Sequence, residues 1–144
     1  MQVRQFQIGD IDDILAIERE SFGRDAWSKK LFMEYFRQYP ELFLIVKLGG
    51  RTAGYSITCA GSRSAELASI AVDPRHRRRG VGQALLDFTL AELRARRVKT
   101  WWLMVDTMNE SGRGFYERYG FVRTKIVKSY YGRGRDAWRM RLAV

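Results

Sequence analysis

The sequence contains very few of the residues that hold metals or cross-link chains: one cysteine, Cys59, and one histidine among 144 residues. A single cysteine excludes an internal disulfide, and the two residues together are too few for a zinc-binding cluster. Only two prolines are present and 46% of the residues are hydrophobic, which excludes a collagen-like or disordered chain. We therefore expect a folded domain with no metal site.

The chain also lacks a long apolar run and a leader-like segment. Its longest such run, LFLIV at residues 42–46, has the length of a strand, whereas a membrane span needs roughly 20 residues. The first residues, MQVRQFQIGDID, show no basic stretch followed by an apolar one, which is the pattern of a secretion signal. We expect a cytoplasmic protein without a membrane partner, folded as one domain over residues 1–144.

Positive charge is in excess and unevenly distributed. The formal net charge is +10; residues 71–144 hold 17 Lys and Arg against seven Asp and Glu, whereas residues 1–70 hold nine of each. Arginine outnumbers lysine by 20 to six, and its planar guanidinium suits phosphates and carboxylates. An anionic partner should therefore meet the second half of the chain. Composition alone leaves open a nucleic acid, a phosphorylated cofactor or an acidic peptide.

Hydrophobic periodicity predicts strands and helices along the whole chain. Strand patterns occur near Val3, in ELFLIVKL, TAGYSITCA, AELASIAV and TWWLMVD, and in the closing pair FVRTKIVKSYY and RDAWRMRLAV. Helical spacing marks DIDDILAIERESF, the segment after the candidate N-cap Ser28, the run after Gly82, and NESGRGFYERYG, which Gly120 ends. This order predicts an α/β (α+β) fold with a mixed sheet of about seven strands and about four helices.

A glycine turn, in RHRRRGVGQALL, joins a predicted strand to a predicted helix. Glycine tolerates positive φ, and a helix N-terminus presents unpaired N–H groups and the positive end of the helix dipole, so Gly80 and Gly82 could cradle a pyrophosphate. The dinucleotide fingerprint needs a third glycine where Leu85 stands, and a P-loop needs lysine where Gln83 stands. The sequence matches neither fingerprint. On this motif alone, a plain strand-to-helix turn with exposed arginines remains an alternative interpretation.

The neighbouring segments resemble the GNAT acetyltransferase superfamily. Its motif A, Arg/Gln-x-x-Gly-x-Gly/Ala, is met by Arg77, Gly80 and Gly82, and WLMVDTMNESGRGFYERYGF is similar to the strand and helix that follow it in the family. The segments IERESF and KSYYGRGRDAWRMRL resemble in particular the ribosomal-protein alanine N-acetyltransferases. The resemblance covers essentially the whole chain. It implies the GNAT fold with a mostly antiparallel sheet, acetyl-CoA as cosubstrate, and acetyl transfer to a primary amine.

The resemblance also assigns roles to residues. It implies that the backbone of Ile70, Ala71 and Val72 pairs with the pantetheine arm, and that Asn109 contacts the same arm. Tyr116 would be the general acid for the departing thiolate, although without the family a core aromatic is the more probable reading of this residue. The remaining cofactor-binding residues, which would hold the phosphates, are Arg77, Arg78, Arg79, Gly80, Val81, Gly82 and Gln83.

The residue at the position of the catalytic base differs from the one in the ribosomal-protein enzymes. Where they carry a glutamate in Leu-Glu-Val, this chain has Met104, which cannot take a proton. Glu66 matches the place where histone-acetylating branches of the superfamily carry a glutamate that acts through water, and Asp106 shares a strand face with Met104. We predict Glu66 as the base, with Asp106 as the alternative; either carboxylate could instead be solvated or salt-bridged.

The missing glutamate favours an acceptor that is easily deprotonated. An α-amino group with a pKa near 7.8 is roughly 10 to 15% neutral at pH 7, whereas a lysine with a pKa near 10.4 is neutral about once in 2,500 molecules. We therefore predict a protein or peptide N-terminal α-amine, with nucleic acid involved only indirectly through a ribosomal-protein substrate. The alternatives are acetylation of a small amine, a non-catalytic CoA-binding protein, and an RNA- or ribosome-binding protein. Loops 23–27 and 130–135 should decide the acceptor.

Overall fold

A computed structural model describes every residue from Met1 to Val144. The strands are β1 (Gln2–Gln5), β2 (Phe43–Leu48), β3 (Arg51–Ala60), β4 (Ser64–Val72), β5 (Thr100–Asp106), β6 (Val122–Val127) and β7 (Ala137–Ala143). The helices are α1 (Ile11–Phe22), α2 (Lys29–Gln38), α3 (Val81–Ala95) and α4 (Glu110–Tyr119). The strands form one sheet in the order β1-β2-β3-β4-β5-β7-β6. Only β4 and β5 are parallel neighbours, so the predicted mixed, mostly antiparallel fold is confirmed.

Local sequence signals explain where the helices begin and end. The Ser28 hydroxyl accepts a hydrogen bond from the Leu31 N–H at 3.2 Å and caps α2, as the sequence predicted. This helix ends two residues before Pro40, because the residue before a proline disfavours helical geometry. Gly120, with φ of 125°, ends α4, since this conformation is open mainly to glycine.

The sheet carries one pair of helices on each face. On the first face, α1 and α2 pack over an aromatic-rich cluster that includes Phe32, Phe43 and Tyr55, all fully buried. On the second face, α3 and α4 pack around Trp101 and Leu86, which are also fully buried. None of the helices has both the length and the apolar character needed to cross a membrane.

The two parallel strands separate after a short paired stretch. Residues Ser64–Glu66 of β4 pair with Thr100–Trp102 of β5, and the rest of both strands, up to Val72 and Asp106, is not paired across this gap. Pairing of β4 with β3 shifts register so that Ala68 is an extra residue, which is a β-bulge. A bulge bends the strand that contains it. The sheet therefore opens into a cleft between β4 and β5.

Gly54 on β3 decides how closely α3 approaches the sheet. A Cβ at this position would lie 2.9 Å from both the Ala71 carbonyl oxygen and Val81 Cγ1. Val81 is the first residue of α3, so the missing side chain lets the N-terminus of this helix lie directly on β3 and the end of β4.

We expect Gly54→Ala to lower the free energy of unfolding by about 1–3 kcal/mol, because the added methyl overpacks against backbone. Denaturant unfolding followed by circular dichroism measures this loss. Gly9→Ala is the matched control: a Cβ there meets nothing within 4 Å and its φ is not positive, so a change within about 0.5 kcal/mol is expected. Equal losses in both variants would show that the contact with α3 is unimportant.

Candidate active site

The opening between β4 and β5 forms a cavity of about 550 Å³. Its walls are residues 67–70 of β4 and residues 103–106 of β5, and α4 closes one side with Asn109 and Tyr116. From the other side the cleft is lined by Glu18 of α1 and by two loops, the α1–α2 loop (residues 23–28) and the β6–β7 loop (residues 128–136). Five residues singled out from the sequence therefore line this cleft: Ile70, Met104, Asp106, Asn109 and Tyr116.

The segment before α3 has the backbone geometry of an anion site. Arg78 and Gly80 have φ values of 62° and 78°, and Gly80 is the N-cap of α3 without a side-chain cap. The N–H groups of the first helical turn have no partner within a helix and point outward. The side chains of residues 77–79 are exposed, and none of them forms an ion pair. Backbone donors and three arginines without an ion-pair partner thus lie next to each other in the chain at one helix end.

The two glycines of the motif have different roles. Gly80 needs its positive φ, and a Cβ there would meet open space, so the turn conformation explains the residue. Gly82 lies inside α3 and is buried; a Cβ at this position would lie 3.0 Å from Phe115 Cζ on α4. Gly82 therefore lets α3 and α4 pack closely, and the pyrophosphate contact expected of both glycines stays a prediction. This packing places Phe115, the residue before Tyr116, against the first turn of α3, which follows the arginines.

Asn109 and Tyr116 are held by α4. The Asn109 side-chain oxygen accepts the Gly112 N–H at 2.9 Å and caps the helix, which leaves its amide N–H groups free. The Tyr116 ring packs against Phe121 with a centroid distance of 6.0 Å, and Tyr116 lines the cleft. Burial raises the pKa of Tyr116 far above its usual value, so this hydroxyl is protonated at neutral pH and can donate a proton.

The two carboxylates considered as bases lie in different surroundings. Glu66 is half-buried beside its strand neighbours Cys59 and Trp102 and does not line the cleft; burial raises its pKa against the opposing effect of Arg139. Asp106 does line the cleft, but its carboxylate accepts the Met108 N–H at 2.9 Å and pairs with Arg135 at 3.1 Å.

Sequence reasoning missed a third carboxylate, Glu18, which is buried and lines the cleft. It accepts hydrogen bonds from the Trp27 N–H at 2.8 Å and from the Tyr55 hydroxyl. Burial raises its pKa more than these hydrogen bonds lower it. A signal was present in the sequence: Glu18 follows Ile14 and Ile17 at helical spacing, so an acid stands on the apolar face of α1.

The two loops over the cleft are tied together by one arginine. Arg135 of the β6–β7 loop pairs with Asp25 of the α1–α2 loop at 3.0 Å and with Asp106 of β5 at 3.1 Å. Its guanidinium also lies 5.6 Å from the centre of the Tyr131 ring, which lines the cleft. The Tyr130 ring packs edge-on against the Tyr131 ring with a centroid distance of 4.9 Å.

Comparison with known proteins gives consistent matches. The model of the acetyltransferase (GNAT) family matches residues 11–121. The ribosomal protein bS18-alanine N-acetyltransferase of Salmonella typhimurium is 39% identical over 107 residues, which are 73% of this chain and 70% of that protein. The structure of Ard1 from Thermoplasma volcanium matches with a TM-score of 0.93 at 30% identity, covering 99% of this chain and 97% of that one. For the Escherichia coli ribosomal-protein-S18-alanine N-acetyltransferase the TM-score is 0.85 at 31% identity, with 99% and 93% covered.

We expect Arg135→Gln to loosen both loops, because the variant loses its ion pairs with Asp25 and Asp106. Amide hydrogen exchange in residues 23–27 and 130–135 should become about two- to fivefold faster, while exchange in the sheet stays unchanged. Arg133→Gln is the matched control in the same loop, since Arg133 is exposed and forms no ion pair. Unchanged exchange in the first variant would mean that the bridge does not hold the loops.

Proposed function

The chain belongs to the GNAT acetyltransferase family and is an N-acetyltransferase, and we propose that its acceptor is the α-amine at the N-terminus of a protein or peptide. The observation that carries the proposal is the cleft at the β4–β5 separation, which has a proton donor, Tyr116, on one side and two tethered loops on the other. Relatives that share about a third or more of their residues with it are named for N-terminal alanine acetylation of a ribosomal protein.

The cofactor side of the cleft fits acetyl-CoA, the cosubstrate of this family. The N–H groups from Arg78 to Gln83 would bind its pyrophosphate, and the guanidinium groups of residues 77–79 would add charge-assisted hydrogen bonds to its phosphates. The backbone of Ile70, Ala71 and Val72 lies in the part of β4 that β5 leaves unpaired. An extended pantetheine arm could therefore occupy the place of a neighbouring strand, with the free amide of Asn109 within reach of it.

Tyr116 is the proposed general acid. Bound acetyl-CoA supplies an activated thioester, and attack by an amine expels a thiolate that needs a proton. The Tyr116 hydroxyl forms no hydrogen bond within the chain and is held protonated by burial, so it can donate to the leaving sulfur. Glu66 remains a predicted base, and because it lies outside the lining of the cleft it would have to act through water.

The acceptor assignment follows from the proton that must be removed. The neutral fractions at pH 7, roughly 10 to 15% for an α-amine and about one in 2,500 for a lysine, differ by a factor of about 350. Met104 stands where the ribosomal-protein enzymes carry a glutamate, and the one carboxylate that β5 brings to the cleft, Asp106, is paired with Arg135. Strand β5 therefore offers no free base to overcome that factor. An N-terminal amine is thus the acceptor class that this site suits best.

We expect a peptide with a free N-terminus to be acetylated at least about 100-fold faster at pH 7 than the same peptide with a blocked N-terminus and an internal lysine. Release of CoA thiol, with mass spectrometry to locate the acetyl group, measures the ratio. Faster turnover of the lysine peptide would refute the N-terminal assignment, and turnover of small amines alone would favour the small-molecule alternative.

We expect Tyr116→Phe to lower kcat by about 10²- to 10⁴-fold, because the thiolate loses its proton donor, while the Kd for acetyl-CoA changes little. A thiol-release assay measures kcat, and calorimetric titration measures the Kd for acetyl-CoA. Tyr119→Phe is the matched control on the same helix: the Tyr119 hydroxyl donates to Asp87 at 2.7 Å, away from the cleft lining, so its kcat should be retained. A Tyr116→Phe enzyme with normal kcat would remove the general-acid role.

A further inference from the structure

Glu18 is the most deeply buried acid in the cleft, and its residue is only 1% exposed. No lysine or arginine forms an ion pair with it. Placing a carboxylate out of water without a cation is costly, and a hydrophobic residue at this point of α1 would continue the apolar face formed by Ile14 and Ile17. A carboxylate at this position therefore lowers the free energy of unfolding, which points to a role in the reaction.

We propose that the Glu18 carboxylate binds the acceptor's ammonium group and takes its proton, in place of the glutamate that Met104 replaces. This assignment rests on the proposed function, because it needs an amine acceptor in this cleft.

The hydrogen bonds of Glu18 leave room for that acceptor. Oε2 accepts the Trp27 N–H at 2.8 Å and Oε1 accepts the Tyr55 hydroxyl; since each carboxylate oxygen has two lone pairs, one on each oxygen stays available. The Tyr55 hydroxyl also lies 2.9 Å from Ser69 Oγ. Ser69 belongs to the part of β4 next to the Ala68 bulge and lines the cleft. The hydrogen bonds among Glu18, Tyr55 and Ser69 thus connect Glu18 to the bulged part of β4, where the two substrates would meet.

The charges around the cleft support a cationic ligand at Glu18. Arg135 is the only lysine or arginine that lines the cavity, and it is bound to Asp25 and Asp106. Arg135 is therefore not available to pair with Glu18, and the ammonium group of an acceptor would supply the missing cation. The other titratable or charged groups that line the cleft are Asp25, Asp106, Tyr116, Tyr131 and Arg135. The elements packed against α1 also carry Asp10, Arg24, Arg51, Tyr55, Cys59, Glu66, Arg75 and His76. Burial holds the pKa of Glu18 above its usual range, which makes it a better proton acceptor.

The proton and electron balance of the reaction is complete with this assignment. The ammonium gives one proton to the Glu18 carboxylate, and the neutral amine nitrogen forms a C–N bond to the thioester carbonyl carbon. When the C–S bond of the tetrahedral intermediate breaks, the sulfur keeps the electron pair and takes a proton from Tyr116. The amide nitrogen then loses its second proton, which restores Tyr116, and Glu18 releases its proton to water. One proton is released for each acetyl group transferred.

The test is the pH profile of kcat/KM for a free-amine peptide with wild type and Glu18→Gln. The glutamine can still accept from the Trp27 N–H, so the fold should persist, but it cannot take a proton. At pH 7 the variant should be about five- to tenfold slower, because only roughly 10 to 15% of the peptide amine arrives neutral. At pH 9.5 almost all of the peptide amine arrives neutral, and the loss should shrink to less than about twofold. A purely structural role of Glu18 would lower the rate by the same factor at every pH.

Controls separate this assignment from its rivals. Glu20→Gln removes an exposed acid from the same helix, away from the cleft, and should behave like wild type. Glu66→Gln tests the other candidate: a loss that recovers at high pH in this variant, and not in Glu18→Gln, would overturn the proposal. A Glu18→Gln enzyme within threefold of wild type at pH 7 would also overturn it. Wild type that acetylates no peptide N-terminus would refute the proposed function, and with it this assignment.

A stability measurement checks that the variant is folded. Since the folded-state pKa of Glu18 lies above its unfolded value, its protonation favours the folded state at low pH, and this contribution is lost as pH rises through the folded-state pKa. Glutamine does not titrate, so Glu18→Gln should have a Tm at pH 8 no lower than that of wild type. A large drop in Tm at pH 8 would show that the carboxylate holds the fold and would count against a role in the reaction.

Discussion

The pairing between β4 and β5 ends after three residues on each strand, and the active cleft depends on this early end. Backbone N–H and C=O groups inside a protein are normally paired, so an interrupted strand pair within the middle of a sheet leaves donors and acceptors that a ligand can use. The Ala68 bulge lies in the part of β4 that does not pair with β5, and a bulge bends the strand that contains it. Because the gap passes through the sheet, one substrate can approach from the α3 and α4 side and the other from the α1 and α2 side.

The two sides of this gap differ in charge. On the side of α3, a helix N-terminus and three unpaired arginines present positive charge, which suits a phosphorylated cosubstrate. On the side of α1, the buried Glu18 has no cation, and the one arginine of the cleft is already held by Asp25 and Asp106. The net charge of +10 therefore does not describe the proposed acceptor side of the cleft, where Glu18 has no ion-pair partner.

Close packing between elements holds the acid and the anion site at a common place. Gly54 lets α3 lie on the sheet, and Gly82 lets Phe115 of α4 lie on α3. Tyr116 follows Phe115 in the chain, so the position of the proposed general acid depends on two residues that have no side chain. This arrangement couples the proposed phosphate-binding turn before α3 to the proposed general acid, because a shift of α3 would carry α4 with it.

Much of this protein follows from local sequence: the order of seven strands and four helices, the caps at Ser28 and Asn109, and the left-handed turn at Gly80. Each depends on interactions within a few residues, which periodicity and capping rules describe. The motif spacing also led to the family, and through it to Tyr116. Only the tertiary structure decided which carboxylates meet the cleft, since Glu18 and Tyr55 are 37 residues apart and Arg135 and Asp25 are 110 apart. Contacts at such separations are set by how β4 bends and where the helices pack.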